Sequence, residues 1–124
     1  MKKRILVVDD EPALTKMVKM NLERTGNYEV FTVNQGSKAL EAAREFKPDL
    51  IFLDVMMPDM SGDEVSAQLR EDKALANIKQ IFMTAIVTRD ETESMGNNIG
   101  GNEFLAKPVN KDELIETIER ALSV

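Results

Sequence analysis

Neither cysteine nor histidine occurs among the 124 residues. The first absence removes disulfides, thiol nucleophiles and thiolate metal sites; the second removes the Ser-His-Asp triad, imidazole bases and ordinary zinc sites. Carboxylate, hydroxyl and amine chemistry remain. No apolar run approaches the roughly 20 residues that a membrane span needs. The basic start Met1-Lys2-Lys3-Arg4 leads into an apolar stretch at residues 5–8 that is too short for a secretory signal before Asp9-Asp10-Glu11 intervenes, so a cytoplasmic location is expected. Positive charge is also in deficit, with 16 Lys+Arg against 22 Asp+Glu and a net charge of −6. That balance argues against direct nucleic-acid binding, which rests on a basic face neutralising phosphates. A hard cation is the more natural companion.

At 43% hydrophobic and 31% charged residues, the chain reads as one globular domain over residues 1–124. A chain of this size buries roughly 65% of its unfolded surface, enough for two packed layers. Ile5-Leu6-Val7-Val8, Leu50-Ile51-Phe52-Leu53 and Ile81-Phe82-Met83 are continuously apolar, as strands covered on both faces should be. Tyr28–Val33 and Phe104-Leu105-Ala106 read as shorter or more mixed strands nearer the edges. Between them, Leu14, Met17, Val18 and Leu22 fall at helical spacing, with Pro12 suited to the first turn and Gly26 to the stop. Ala39, Leu40, Ala43 and Phe46 make a second stripe closed by Pro48. Ser61 with Glu64 fits a capping box before Val65 and Leu69, and Asn110 with Glu113 repeats it before Leu114, Ile115, Ile118 and Leu122. In residues 88–101 only Met95 and Ile99 are large and apolar, and Gly96-Asn97-Asn98 interrupts them, which predicts a weak, mobile fourth helix. Five β-α units with right-handed crossovers give a doubly wound α/β sandwich.

Ligands of such sheets sit outside the carboxyl ends of the strands. The first strand ends in Asp9-Asp10-Glu11, the third in Asp54 and the fourth in Thr84, and the fifth is followed by Lys107-Pro108. Taken singly, each acid is as readily a turn former or helix cap. Thr84 alone is more simply a strand-end hydroxyl, Lys107 a solvated amine and Phe104 a core residue. Their joint placement is what points to a site. Two like charges about 4 Å apart repel by roughly 4 kcal/mol at an effective dielectric of 20, and one lysine cannot offset three carboxylates. An all-oxygen cluster suits Mg²⁺. Metal, carboxylate nucleophile and cationic clamp are the parts of phosphoryl transfer.

Val7-Val8-Asp9-Asp10-Glu11-Pro12, Asp54-Val55-Met56-Met57-Pro58-Asp59-Met60-Ser61-Gly62, Thr84-Ala85 and Phe104-Leu105-Ala106-Lys107-Pro108 together resemble the receiver domain of two-component response regulators, over essentially the whole chain. The resemblance implies a flavodoxin-like five-stranded parallel sheet of order 2-1-3-4-5 with five helices. It implies Asp54 as the phosphoacceptor for a sensor histidine kinase or histidine phosphotransfer protein. Asp10, Asp54 and the Met56 carbonyl match the family's Mg²⁺ ligands, with Asp9 reaching the ion through water. Lys107 matches the amine that pairs with the phosphoryl oxygens, Thr84 the hydroxyl that reorients toward them, and Phe104 the aromatic switch. A cis Lys107–Pro108 bond is also implied, at the small cost of about 0.5–1 kcal/mol that X-Pro bonds carry. Output would pass to a downstream protein or output domain through the fourth helix, fifth strand and fifth helix, from a monomer or a phosphorylation-dependent dimer. The expected role is a signalling phosphoacceptor that promotes its own phosphotransfer and dephosphorylation, not a turnover enzyme. The chain would act alone or as part of a longer one.

Phe104 lacks a tyrosine's hydroxyl, so its switching must act by packing, and the span from Thr84 to Lys107 looks about a residue longer than is common. The positions two beyond Asp54 and Thr84 are Met56 and Ile86. Neither can orient an attacking water, which predicts slow self-dephosphorylation. A haloacid-dehalogenase-like phosphohydrolase would also use an aspartyl nucleophile with Mg²⁺, but normally ends its first strand in D-x-D, a spacing Asp9-Asp10-Glu11 lacks. A flavodoxin-like cofactor carrier would need a hydroxyl-rich loop where these acids would repel phosphate. A degenerate receiver, acting only as an interaction module, would have lost acids, hydroxyl or lysine that are all present.

Overall fold

Strands form where apolar residues run unbroken or alternate with polar ones, and among the described residues four of the strands are followed by a helix that packs on the sheet. The computed structural model describes residues 2–84, 98–99, 102–107 and 109–122. Its elements are β1 (Lys3–Val8), α1 (Pro12–Glu23), β2 (Tyr28–Val33), a 3-10 turn (Gly36–Lys38), α2 (Ala39–Phe46), β3 (Leu50–Asp54), α3 (Gly62–Glu71), β4 (Lys79–Thr84), β5 (Asn98–Ile99), β6 (Asn102–Ala106) and α4 (Lys111–Leu122). The sheet runs β2-β1-β3-β4-β6-β5. All neighbours are parallel except the β5–β6 pair. Because β6 is the strand expected fifth from its Phe104-Leu105-Ala106 run, the parallel part has the expected 2-1-3-4-5 order.

The two-residue period of the strands divides the core. Ile5, Val7, Leu50, Phe52, Ile81, Met83 and Leu105 pack with Val18 and Leu22 of α1 and Leu114 and Ile118 of α4. Leu6, Val8, Ile51, Leu53 and Phe82 pack with Ala39 and Ala43 of α2 and Val65 and Leu69 of α3. Helix ends follow the local signals. Pro12 opens α1, the Ser61 hydroxyl accepts from the Glu64 amide at 3.3 Å, and Asn110 Oδ1 accepts from the Glu113 amide at 2.8 Å. Lys47 closes α2 in the left-handed region at φ 53°.

Two features were not expected. On the outer edge of β2, Lys19 donates to the Val30 carbonyl at 2.7 Å and Glu23 accepts from the Val30 amide at 3.1 Å, so an α1 ion pair blunts the edge. Second, Asn98–Ile99 is a strand antiparallel to Asn102 and Glu103 rather than the end of a helix. The helical pattern there is weak, since Gly96-Asn97-Asn98 are poor helix formers, and Asn98–Ile99 is instead held by pairing along β6. The rest of the expected fourth helix lies outside the described residues.

Candidate functional site

Register brings the chemistry to one edge. Val8 is paired with Leu53, so Asp9 and Asp54 leave neighbouring strands side by side, and Thr84 is paired with Ala106, immediately before Lys107. Strand alternation sorts the groups by face. Asp9, Asp54 and Lys107 continue the rows of Val7, Phe52 and Leu105, whereas Thr84 and Phe104 share the face of Phe82.

Asp9 is fully buried, Asp54 is 4% exposed and Asp10 is half-buried. One carboxylate oxygen from each lies within 4.8 Å of the others. Lys107 bridges this nest, its Nζ standing 2.8 Å from Asp9 Oδ2, 3.1 Å from Glu11 Oε1 and 3.3 Å from Asp54 Oδ1. The lysine is nearly buried, not the solvated surface amine that an isolated lysine suggests. Burial raises the Asp9 carboxyl above the usual range, against the Lys107 contact and the Glu11 amide. Asp54 is raised to about 6, first by burial and then by the charge of Asp9, with Lys107 opposing. For Lys107, burial works against the charged form, but the contact with Asp9, followed by Glu11 and Asp54, outweighs it, and the amine is pushed above its ordinary value.

The nest suits a hard cation on its own geometry. Asp9 Oδ2 is buried without a hydrogen bond, its approach by Lys107 being an ion pair alone. The donors are all oxygen, and one ammonium is shared by Asp9, Glu11 and Asp54. Asp9, Asp10 and Asp54 therefore fit a Mg²⁺, and the Met56 carbonyl lies two residues beyond Asp54.

Thr84 is buried at the end of β4, where its carbonyl accepts from the Lys107 amide at 2.9 Å. Phe104 is half-buried and stacks on Phe82 with ring centroids 5.2 Å apart. The Met56 side chain is 65% exposed. Ile86 and Pro108, and with the latter the expected cis bond, lie outside the described residues.

Three supporting contacts escaped the sequence. Asn34 Nδ2 donates to the Asp9 carbonyl at 2.8 Å and to Thr15 Oγ1 at 3.1 Å. Asp59 accepts from the Gly36 and Ser37 amides at 3.2 and 3.0 Å, and the Ser37 contacts, first among the causes, lower its carboxyl below the usual value. Gly62 sits so close to Asp54 that a Cβ there would overlap the Asp54 carbonyl oxygen. Of these, only Gly62 left a signal in the sequence, a glycine at a helix start that already had its cap in Ser61.

The doubly wound sheet thus carries at its strand ends a lysine-bridged acidic pocket that could hold a metal ion. The response regulator receiver domain family matches residues 5–119, and the chain belongs to that family. It is 40% identical over 124 residues to the alkaline phosphatase synthesis transcriptional regulatory protein PhoP of Bacillus subtilis, covering 98% of this chain and 49% of PhoP. It is 34% identical over 122 residues to the polar-differentiation response regulator DivK of Brucella ovis, covering 98% of each. The chemotaxis protein CheY4 of Vibrio cholerae superposes with a TM-score of 0.83 at 30% identity, over 98% of this chain and all of CheY4. The chain thus spans about half the length of PhoP and nearly all of DivK. Among the described residues no helix is long and apolar enough to cross a membrane.

Proposed function

We propose that residues 1–124 form a single phosphorylatable receiver in which Asp54 takes a phosphoryl group from the phosphohistidine of a sensor histidine kinase or histidine phosphotransfer protein. The observation that carries this reading is the buried Asp9–Asp54–Lys107 constellation, with Asp10 completing the nest. With its carboxyl at about 6, Asp54 is roughly nine-tenths ionised at pH 7 and available as a nucleophile. A carboxylate oxygen forms the new O–P bond while the donor's P–N bond breaks; the imidazole nitrogen keeps that electron pair and takes a proton from water. Lys107, already within 3.3 Å of Asp54, is placed to pair with the phosphoryl oxygens. Asp9, Asp10, Asp54 and the Met56 carbonyl would hold a Mg²⁺, which supplies neutralising charge for those oxygens when bound.

The added phosphoryl charge gives the Thr84 hydroxyl a strong acceptor to turn toward. Thr84 and Phe104 share a sheet face, so movement of the first changes the packing of the second, and the stack on Phe82 is the contact at stake. The altered surface would comprise β6, α4 and the segment between β4 and β6. It would act on a downstream protein or output domain, from a monomer or a phosphorylation-dependent dimer in the cytoplasm, without direct contact to nucleic acid or membrane. The chain would relay signal and not turn over substrate. Met56 and Ile86 offer no acceptor to orient water, so the phosphorylated form should persist.

Incubation with a small-molecule phosphodonor and Mg²⁺ tests the reading, comparing wild type with Asp54→Ala. Label in the wild type alone is expected, and label retained by the variant would overturn the assignment. Met56→Asn with Ile86→Glu should speed decay of the phosphoprotein; an unchanged rate would refute the dephosphorylation claim.

A further inference from the structure

The donors of the nest come from residues 9–11 after β1 and from Asp54 at the end of β3, with the Met56 carbonyl in residues 55–61 beyond it, and no described hydrogen bond joins residues 9–11 directly to residues 55–61. Both are gripped by a third segment that contributes no acid. From residues 34–37, between β2 and α2, the Asn34 side chain reaches the Asp9 carbonyl while the Gly36 and Ser37 amides hold the Asp59 carboxylate. The fit at the second grip is close. A Cβ on Gly36 would stand 2.9 Å from the Met60 carbonyl oxygen and 3.2 Å from the tip of buried Met57. At the first grip, Asn34 also bonds to Thr15, a buried residue of α1 whose hydroxyl is itself tied to the Pro12 carbonyl at 3.1 Å.

We infer that residues 34–37 act as a bracket, with Asn34 and Asp59 as positioning residues that set the spacing between the Asp9–Asp10 carboxylates and the Met56 carbonyl. The inference rests on the Mg²⁺ reading proposed above. Met56 stands three residues before Asp59 and two after Asp54, so its carbonyl belongs to a stretch anchored at one end by β3 and at the other by the Asp59 grip. The opposite side of the nest is anchored by Asn34. A bracket differs from two independent supports in one respect: cutting either end removes the link that runs through residues 34–37, leaving the β1–β3 pairing and the Lys107 bridge, and cutting the second end adds little. Independent supports would multiply their effects.

Calorimetric titration of the full chain with Mg²⁺ reads this directly, on wild type, Asn34→Ala, Asp59→Ala and the double variant, each checked by thermal melting. Loss of an outer support of a metal site commonly weakens affinity by 10–100-fold; for these more remote contacts each single variant should raise Kd by about five- to tenfold. The double variant should lie within about twofold of the weaker single one. Asp59→Asn retains one acceptor oxygen and should recover part of the loss. Arg44→Ala removes a surface ion pair to Asp72 away from the nest and should leave Kd unchanged. Should Asn34→Ala fail to fold, Asn34→Ser serves, because its shorter hydroxyl cannot span to the Asp9 carbonyl. Unchanged affinity in the single variants, or losses that multiply in the double, would overturn the bracket while leaving the proposed function standing. A wild-type protein that takes up no Mg²⁺ would overturn both.

Discussion

Replacing Asp54 by Asn should stabilise the metal-free protein at neutral pH, because the native fold holds this carboxyl where ionisation is unfavourable. Its value rises from 3.8 to about 6 on folding, with burial the larger cause and Asp9 the second. A group with a raised carboxyl value binds more protons folded than unfolded, so its contribution falls as pH increases between those two values. At about 1.4 kcal/mol per pH unit, the full penalty above pH 6 is at most about 3 kcal/mol. The amide carries no charge and escapes that penalty. For a domain of this size 1 kcal/mol corresponds to roughly 4 °C in Tm, so Asp54→Asn should melt on the order of 10 °C above wild type at pH 7. Near pH 5, where wild-type Asp54 is already largely protonated in the folded state, about half the difference should remain. Thermal melts followed by circular dichroism in EDTA at both pH values measure it. Equal Tm values at pH 7, or a gap that widens on acidification, would refute the reasoning.

Gly62→Ala drives a methyl into the Asp54 carbonyl, and the resulting backbone shift should cost about 1–3 kcal/mol in denaturant unfolding; wild-type stability would show that α3 retreats freely. Lys107→Met removes the only ammonium facing Asp9 and Asp54 among the described residues. The Asp54 carboxyl should then titrate above its value of about 6 in a carboxyl-carbon NMR experiment, and stability at pH 7 should fall by about 3 kcal/mol. An unmoved titration would mean that Lys107 does not govern the nest.

Much of this was legible in the chain because the signals are local. Leu50-Ile51-Phe52-Leu53 is apolar throughout since β3 lies between two parallel neighbours with helices over both faces. The acids follow such runs because ligand sites of doubly wound sheets lie beyond strand ends. What escaped depends on partners distant in sequence. Nothing near Asp59 marks it as the acceptor for amides 22 and 23 residues earlier, and Asn34 reaches back 25 residues to Asp9. The blunting of β2 by Lys19 and Glu23 is hidden for the same reason. At Asn98–Ile99 the helical pattern was weak, interrupted by poor helix formers, and strand pairing with Asn102 and Glu103 prevailed over it.

The central claim is that one carboxylate of the nest, and only one, is primed for covalent phosphorylation. It is tested most directly by treating the protein with a small-molecule phosphodonor and Mg²⁺, reducing the acyl phosphate so that the modified aspartate becomes homoserine, and locating that residue by tandem mass spectrometry. Homoserine at position 54 alone is the expected result. Homoserine at position 9 or 10, or none anywhere, would contradict it.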